Sequence, residues 1–366
     1  MTRRQLLQRL IAHLDRPLLL GIGLLLVTGL LVLYSADNAS LDRPLRQLLN
    51  MSVALACMWL IANLPLHYLM RTAVPIYLLG MVLLVGVALF GEISHGARRW
   101  LNLGVATVQP SELMKIGVPL MMAWYFEKHE ATLTLKNYFI AAMLLLMPIA
   151  LIARQPDLGT SILILASGFY VLFLAGLSWR VMGTVFVAAL ASAPFIWKYM
   201  LHEYQRHRIM MLFDPSQDAL GNGYHTIQAT IAVGSGGILG KGYLNGTQTH
   251  LDFLPERTTD FIFAVFSEEF GLLGCLILLG MYSFVIWRGF RITANASTYF
   301  TRLMAGSITL TFATYAFVNM GMVCGILPVV GVPLPLISYG GTSMLTLLLG
   351  FGMLMSIETH KKLVRT

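Results

Sequence analysis

Charged residues are scarce in this 366-residue chain, and their scarcity excludes a water-soluble protein. Asp, Glu, Lys and Arg make up 11% of the sequence, whereas 57% of the residues are hydrophobic. A soluble domain carries about a quarter charged residues, so most of this surface must face lipid. The sequence therefore predicts an all-α polytopic membrane protein that forms a single membrane domain over residues 1–366.

Paired cysteines, metal-ligand spacings and soluble catalytic motifs are also lacking. The odd number of cysteines, all within apolar runs, argues against a disulfide framework. The sequence contains no HExxH motif and no Ser-x-x-Lys motif, which argues against a zinc protease and a penicillin-binding acyl-transfer site. The stretch GGILGKG (236–242) resembles a phosphate-binding loop, but Ser235 and Gly242 stand where that motif needs Gly and a hydroxyl residue.

Ten apolar runs approach the roughly 20 residues that cross ~30 Å of hydrocarbon. The predicted spans are residues 17–35, 45–64, 73–91, 110–126, 137–153, 158–175, 180–200, 261–287, 303–326 and 338–357. The first run lacks a small-x-small cleavage site, so we expect it to remain as a span. The basic segment 1–16 is predicted to be an amphipathic helix on the inner membrane surface.

Lysine and arginine are distributed unequally between the predicted loops. With the N-terminus inside, the short outer loops hold only Arg43, Arg46, Arg98, Arg99 and Arg154. The positive-inside rule then places both termini in the cytoplasm. The net charge of +8 fits contact with anionic lipid headgroups. The long loop 201–260, between spans seven and eight, is predicted to be extracytoplasmic and functional, with a re-entrant or interfacial stretch at 223–242.

Four polar clusters fall at the outer face under this topology. Ionisable residues at membrane depth are costly, so they are functional candidates by default. The clusters are residues 95–115 with Arg98, Arg99, Trp100, Glu112 and Lys115; residues 153–160 with Arg154 and Asp157; residues 254–271 with Asp260, Glu268 and Glu269; and residues 333–343 with Ser338, Tyr339 and Thr342. Their convergence predicts a site at the outer headgroup level that is rich in Arg and Lys and has one well-placed carboxylate, and a lipid-linked pyrophosphate would fit such a site.

Each cluster also has a purely structural interpretation. Glu112 and Lys115 share a helix face and could form either a self-satisfied ion pair or part of an anion site. Asp157 could belong to a turn or cap the sixth helix. Asp260 could be an N-cap or a general base, and Glu268 and Glu269 could form a packing salt bridge. Residues 333–343 could simply be the loop that precedes a helix. Two functional classes therefore remain open, an enzyme that uses a lipid-phosphate donor and a flippase that moves such a lipid.

Several stretches together resemble the SEDS family (shape, elongation, division and sporulation proteins), in particular its rod-shape elongation branch. They are RRWLNLG (98–104), QPSELMK (109–115), QPDLGT (155–160), GSGGILGKG (234–242), LDFLPERTTDFIFAVFSEE (251–269) and PLPLISYGGTS (333–343). The resemblance covers nearly the whole chain. It implies a ten-span protein of the bacterial inner membrane that polymerises lipid II beside a class B penicillin-binding transpeptidase and other elongation-complex membrane proteins.

The resemblance also implies the site residues. The catalytic acid of the TDFIFA motif corresponds to Asp260 and the tryptophan of the RRW motif to Trp100. Many relatives have His-Thr-Asp where this chain has Thr258-Thr259-Asp260, which removes any role of that histidine here. We expect the pyrophosphate to be bound by the cations Arg98, Arg99, Lys115, Arg154 and Lys241, with Glu112, Asp157 and Ser338 beside them.

A divalent cation such as Mg²⁺ or Mn²⁺ could share the neutralisation of the pyrophosphate, although the sequence shows no dedicated ligand set. Two alternatives to a polymerase are a lipid II flippase and a non-catalytic scaffold for the transpeptidase. A flippase needs charges along a path through the whole bilayer. Glu268 and Glu269 are the deep candidates, and the sequence indicates no deep cation to match them, which favours the polymerase.

Overall fold

Alternating apolar and turn-forming segments fold into a bundle of helices with one small sheet. The computed structural model describes residues 13–94, 97–102, 107–155, 157–201, 203–213, 222–250 and 256–360. Its helices are α1 Arg16–Ala36, α2 Asp42–Ala62, α3 Leu66–Phe90, α4 Pro110–His129, α5 Leu135–Ala153, α6 Leu158–Leu174, α7 Trp179–Phe195, α8 Glu203–Phe213, α9 Asn222–Ser235, α10 Thr247–His250, α11 Ile262–Ala294, α12 Tyr299–Val323 and α13 Gly341–Thr359.

The predicted apolar runs each correspond to one helix. Within the described part of the chain, eight helices are long and apolar enough to cross a membrane: α1, α2, α3, α5, α7 extended to Tyr199, α11, α12 and α13. Helix α6 is a shorter apolar helix, and α4 carries the charged residues of the first polar cluster. The all-α polytopic fold is confirmed, whereas the number of ten crossings stays a prediction.

One element was not expected from the sequence. Residues between α3 and α4 form a three-stranded antiparallel sheet of β1 Glu92–Ser94, β2 Ala97–Asn102 and β3 Thr107–Val108. Strands β1 and β3 are too short to give the alternating pattern by which a strand is recognised in a sequence, and the sequence of β2, ARRWLN, does not alternate. The sheet leads directly into α4, which begins at Pro110, a favourable residue for the first turn of a helix.

Local capping explains where several helices begin. Asp15 caps α1 by accepting a hydrogen bond from the Leu18 N–H at 2.9 Å. Thr298 and Thr301 form a reciprocal capping box at the start of α12. The basic segment 1–16 lies almost wholly outside the described residues, so its predicted amphipathic helix stays a prediction.

The core of the bundle forms around α4, which packs against α3, α5, α6, α12 and α13. Small residues allow close approach between these helices. A Cβ atom at Gly80 would lie 2.2 Å from the Met114 sulfur, and one at Gly168 would lie 2.4 Å from Leu145 Cδ1. Close packing through glycine is typical of membrane helices, because lipid tails supply no hydrophobic force between them. By contrast, no described residue of α7 is buried.

The predicted long loop contains helices α8, α9 and α10. Helix α9 packs on α11 and α12, so the stretch 223–242 is docked against the bundle. Whether it enters the bilayer stays a prediction. Helix α11 is interrupted at Gly271, whose backbone angles are φ 63° and ψ −164°. The turn that follows α9 packs into this interruption.

Candidate functional site

The turn that contains Asp260 is bonded through its main chain to two other parts of the chain, α12 and the segment 328–340. Ser338 Oγ donates a hydrogen bond to the Thr259 carbonyl at 2.6 Å, and Asn319 Nδ2 donates one to the Asp260 carbonyl at 2.8 Å. The Thr258 carbonyl accepts from the Tyr339 N–H at 2.9 Å. These bonds fix the main chain on both sides of the carboxylate.

Asp260 does not cap α11. The helix begins at Ile262, its N-cap position is Phe261, and no side chain caps it, so the N-cap interpretation of Asp260 is wrong. The carboxylate is partly exposed, and its Oδ2 lies 3.6 Å from the place that a Cβ would occupy at Gly331. Gly331 has φ 73°, a conformation that favours glycine, so the chain passes the carboxylate here without a side chain.

The segment 328–340 is bonded to the Asp260 turn and is itself bonded to α2 and α12. The Ser338 carbonyl accepts from Gln47 Nε2 at 3.2 Å, and the Gly340 N–H donates to Gln47 Oε1 at 3.2 Å. Asn319 Nδ2 also donates to the Val332 carbonyl at 2.8 Å. The predicted site residue Ser338 therefore positions the turn through its hydroxyl, which also accepts from the Leu334 N–H.

The second polar cluster lies next to the same segment. Asp157 caps α6, as the structural interpretation predicts, by accepting from the Thr160 N–H at 3.3 Å, and Gln109 Nε2 donates to its other oxygen at 3.2 Å. A Cβ atom at Gly159 would lie 2.5 Å from the Val330 carbonyl oxygen. The start of α6 thus packs directly against the segment that passes Asp260.

Glu112 and Lys115 form the ion pair that the structural interpretation predicts. Lys115 Nζ lies 2.5 Å from Glu112 Oε1, and both side chains are largely buried. Thr346 Oγ1 donates to the other carboxylate oxygen at 3.2 Å, and the Lys115 ammonium lies 5.3 Å from the Tyr315 ring centroid. Lys115, Tyr315 and Thr346 line a cavity of about 40 Å³ between α4, α12 and α13, which is large enough for water.

The remaining predicted cations lie in different surroundings. Lys241 Nζ lies 2.7 Å from Glu268 Oε1, so the expectation that the deep glutamates lack a cation is wrong. Arg154 is exposed and lines a groove of about 340 Å³ between α3 and α5 with Met81 and Met147. Arg99 and Trp100 lie on β2 and are partly buried, while the side chain of Arg98 lies outside the described part of the structure.

Three residues of the site were not singled out in the sequence. Arg43 Nη1 donates to Thr258 Oγ1 at 2.8 Å, and Gln47 and Asn319 hold the loops around Asp260. Gln47 and Asn319 are fully buried polar residues on helices. Their polarity within apolar runs is a signal that could have identified both.

Comparison with known proteins identifies the family. A family model for FtsW, RodA and SpoVE proteins, described as "Cell cycle protein", matches residues 14–363. The chain belongs to this family. The SEDS resemblance seen in the sequence is thereby confirmed, and the FtsW/RodA/SpoVE chain is a multi-pass bacterial membrane protein.

Individual relatives of this FtsW/RodA/SpoVE member cover almost the full chain. It is 51% identical over 352 residues to the peptidoglycan glycosyltransferase MrdB of Escherichia coli strain K12, covering 96% of this chain and 95% of that protein. It is 32% identical to stage V sporulation protein E of Bacillus subtilis, covering 94% of this chain and 97% of the relative.

Solved structures share the same fold. A structure described as "Structural coordination of polymerization and crosslinking by a peptidoglycan synthase complex" contains a chain with a TM-score of 0.81 and 30% identity, covering 94% of this chain and 97% of the other. The crystal structure of the Thermus thermophilus rod shape determining protein RodA gives a TM-score of 0.71 at 28% identity, with 94% and 96% coverage.

Proposed function

We propose that this chain is a peptidoglycan glycosyltransferase that joins lipid II disaccharides into glycan strands during cell-wall elongation, with Asp260 as the general base. Relatives in the family are named peptidoglycan glycosyltransferases, at up to 51% identity in the comparisons above. The observation that carries the assignment of Asp260 is the turn itself. Its main chain is bonded to α12 and to the 328–340 segment, although the carboxylate caps no helix.

The reaction requires one proton to be removed and one anion to leave. Asp260 removes the proton from the 4-hydroxyl of the acceptor sugar as that oxygen attacks the anomeric carbon of the donor. The bond from that carbon to the pyrophosphate breaks, and the α-linked donor gives a β-1,4 bond with inversion. The pyrophosphate leaves as an anion, so it needs positive charge rather than a general acid.

We assign that positive charge to Arg98, Arg99 and Lys115. The arginines belong to the sheet that leads into α4, and Lys115 lies one turn into that helix. Lys115 reaches the cavity between α4, α12 and α13, and its pairing with Glu112 holds the ammonium in place. Arg154 lies on the α3–α5 groove and Lys241 lies in the turn that follows α9, so neither belongs to the sheet and helix that carry the other cations, and both are weaker candidates for this role.

Within the described part of the chain, a divalent cation has no preformed ligand cluster. Within the described residues, no group of three or more His, Cys, Asp or Glu side chains could hold a metal ion. Mg²⁺ often binds through one or two carboxylates together with substrate phosphates. We therefore propose that any divalent cation enters with the pyrophosphate, and polymerisation assayed with EDTA and then with added Mg²⁺ or Mn²⁺ tests this.

We propose a class B penicillin-binding transpeptidase as the partner, with both chain termini in the cytoplasm and the active site on the outer face. The solved peptidoglycan synthase complex supports the partner, because its description couples polymerisation to crosslinking. The positive-inside distribution of lysine and arginine supports the orientation. Cysteine labelling of intact spheroplasts at Asp42 and at Lys128, each changed to cysteine, tests the orientation, since only the first is expected to react from outside.

Glycan-strand formation from lipid II in detergent tests the function. Wild type, Asp260→Asn and Asp260→Ala are compared, each with and without the transpeptidase, after each has been shown to be folded by size-exclusion chromatography. We expect polymer from wild type and a loss of at least about 100-fold in both variants.

The alternatives give different results in this assay. Equal polymer from wild type and both variants would remove Asp260 from catalysis. No polymer from any protein, even with the partner present, would favour a lipid II flippase or a scaffold, and lipid II transport into vesicles would then separate these two.

A further inference from the structure

Helix α11 consists of two helical segments joined at Gly271. The break leaves carbonyl groups at the end of the first segment, and N–H groups at the start of the second, without partners inside the helix. Such groups cost several kcal/mol each in a membrane unless other parts of the protein bond to them. The break therefore requires partners from elsewhere in the chain.

The loop 236–242 supplies those partners to both segments. The N–H groups of Lys241 and Gly242 donate to the carbonyls of Glu268 and Glu269, each at 3.0 Å. In the opposite direction, the Leu272 N–H donates to the Gly237 carbonyl at 2.9 Å, and the Leu273 N–H donates to the Ile238 carbonyl at 3.1 Å. One loop thus caps the end of one helical segment and the start of the next.

Side chains reinforce these main-chain bonds. Glu268 is fully buried, and its Oε1 accepts from Lys241 Nζ at 2.7 Å, from Thr247 Oγ1 at 3.0 Å and from the Gln248 N–H at 3.0 Å. Breaking a buried ion pair by removing one partner is strongly unfavourable, because the other charge is left uncompensated. The Lys241–Glu268 pair therefore ties the loop to the first segment of α11.

Glycine is required at the points of closest approach. A Cβ atom at Gly240, where φ is 80°, would lie 2.1 Å from the Glu269 carbonyl oxygen. At Gly236 it would lie 2.1 Å from the Ser267 carbonyl oxygen. At Gly234, in the last turn of α9, no atom would lie within 4 Å. The same stretch therefore offers both a disruptive alanine substitution and a matched harmless one.

We propose that the loop 236–242 is a positioning element for Asp260 and that Lys241 is its key side chain. The first segment of α11 begins at Ile262, just after the Asp260 turn, whose carbonyls accept from the Asn319 and Ser338 side chains. The other end of this segment is bonded to the loop. Loss of the loop contacts frees one end of the segment and displaces the carboxylate. The proposal rests on the proposed function and assigns Lys241 a role through Glu268 rather than on the substrate.

The test uses the full-length protein with its transpeptidase partner and lipid II in detergent. The variants are Gly240→Ala, Lys241→Met and Lys241→Arg, with Gly234→Ala as the control. Active sites are counted by lipid II binding stoichiometry, so that kcat refers to folded protein. We expect Gly240→Ala and Lys241→Met to lower kcat about 100-fold with little change in KM, because small displacements of reacting groups have effects of this size.

The two remaining variants complete the test. Lys241→Arg keeps the charge beside Glu268 and should stay within about tenfold of wild type. Gly234→Ala should match wild type. A loss of rate in proportion to the loss of lipid II binding sites would show that the loop is needed only for folding. A raised KM at unchanged kcat in Lys241→Met would show that Lys241 binds the pyrophosphate. Either result would overturn the proposal.

The failure of this proposal is distinguishable from failure of the proposed function. Polymer from wild type, none from Asp260→Asn and a full rate from Gly240→Ala would refute the positioning role alone. No polymer from wild type with its partner would refute both.

Discussion

Replacement of Asn319 tests how strongly the Asp260 turn depends on one buried side chain. The Asn319 amide is fully buried and donates two hydrogen bonds of 2.8 Å, to the Asp260 and Val332 carbonyls. Asn319→Ala removes both bonds. At about 1 kcal/mol for each bond, and more where a carbonyl remains buried without a partner, the loss in stability should be about 2–4 kcal/mol.

The same change should affect catalysis more than a general loss of stability would. The Asp260 carbonyl loses its only bond to α12 among the described contacts, so we expect polymerisation to fall about 100-fold in protein that is still folded at the assay temperature. Thermal unfolding in detergent measures the first effect, and the initial rate of polymerisation per lipid II binding site measures the second.

A matched control lies two turns earlier on the same helix. Thr311 Oγ1 is buried and has no hydrogen-bond partner within the described structure, so Thr311→Val removes a hydroxyl without breaking a bond. We expect wild-type stability from this variant, and wild type itself is the reference for rate, since Thr311 lines the cavity that Lys115 reaches. An Asn319→Ala protein as stable as Thr311→Val and as active as wild type would contradict the inference that α12 fixes the Asp260 turn.

Three further predictions concern other polar groups. Lys115→Met should reduce the free energy of unfolding by about 3–5 kcal/mol, because it leaves the Glu112 carboxylate buried and unpaired. Adding Glu112→Gln should recover part of that loss, and a double variant no more stable than Lys115→Met would contradict this. Asp157→Ala should lose about 1 kcal/mol through the α6 cap, and Asp157→Ser should keep most of it, as thermal unfolding of both variants would show. Burial and the nearby His13 lower the pKa of His360 from its usual 6.5, so protonation favours the unfolded chain. The free energy of unfolding should therefore fall as the pH decreases through 6.5, which unfolding measured between about pH 7.5 and about pH 5.5 would show, and His360→Gln should show a smaller fall.

The membrane fold could be predicted because its cause is local. Each apolar run corresponds to one helix, since a segment in lipid must satisfy its backbone hydrogen bonds internally. The β1–β3 sheet could not be predicted, because β1 and β3 are only three and two residues long and β2 does not alternate apolar and polar residues. The break at Gly271 was also missed, because the apolar run of α11 continues through it and the partners of its backbone lie some thirty residues earlier in the sequence.

The polar clusters were predicted more completely than their contacts. Ionisable residues within or beside apolar runs are costly and therefore stand out in a sequence, which is why Glu112, Asp157 and Asp260 could be named as candidates. Which of them is already bonded depends on tertiary structure. The Glu112–Lys115 pair and the Asp157 cap realise their structural interpretations, whereas Asp260 does not. Their catalytic and binding roles stay predictions.

The surroundings of Asp260 show how this membrane protein holds irregular backbone at its candidate site. Unpaired backbone groups are tolerated at membrane depth only where protein or water satisfies them. Here the 256–260 turn bonds to Ser338, Tyr339 and Asn319, and the break in α11 bonds to the loop 236–242. The contacts that satisfy these backbone groups are also the contacts that fix the main chain around the Asp260 carboxylate. Because one set of bonds serves both purposes, a substitution that disturbs either the turn or the loop should reduce stability and catalysis together, while substitutions on the exposed faces of α7 should change neither.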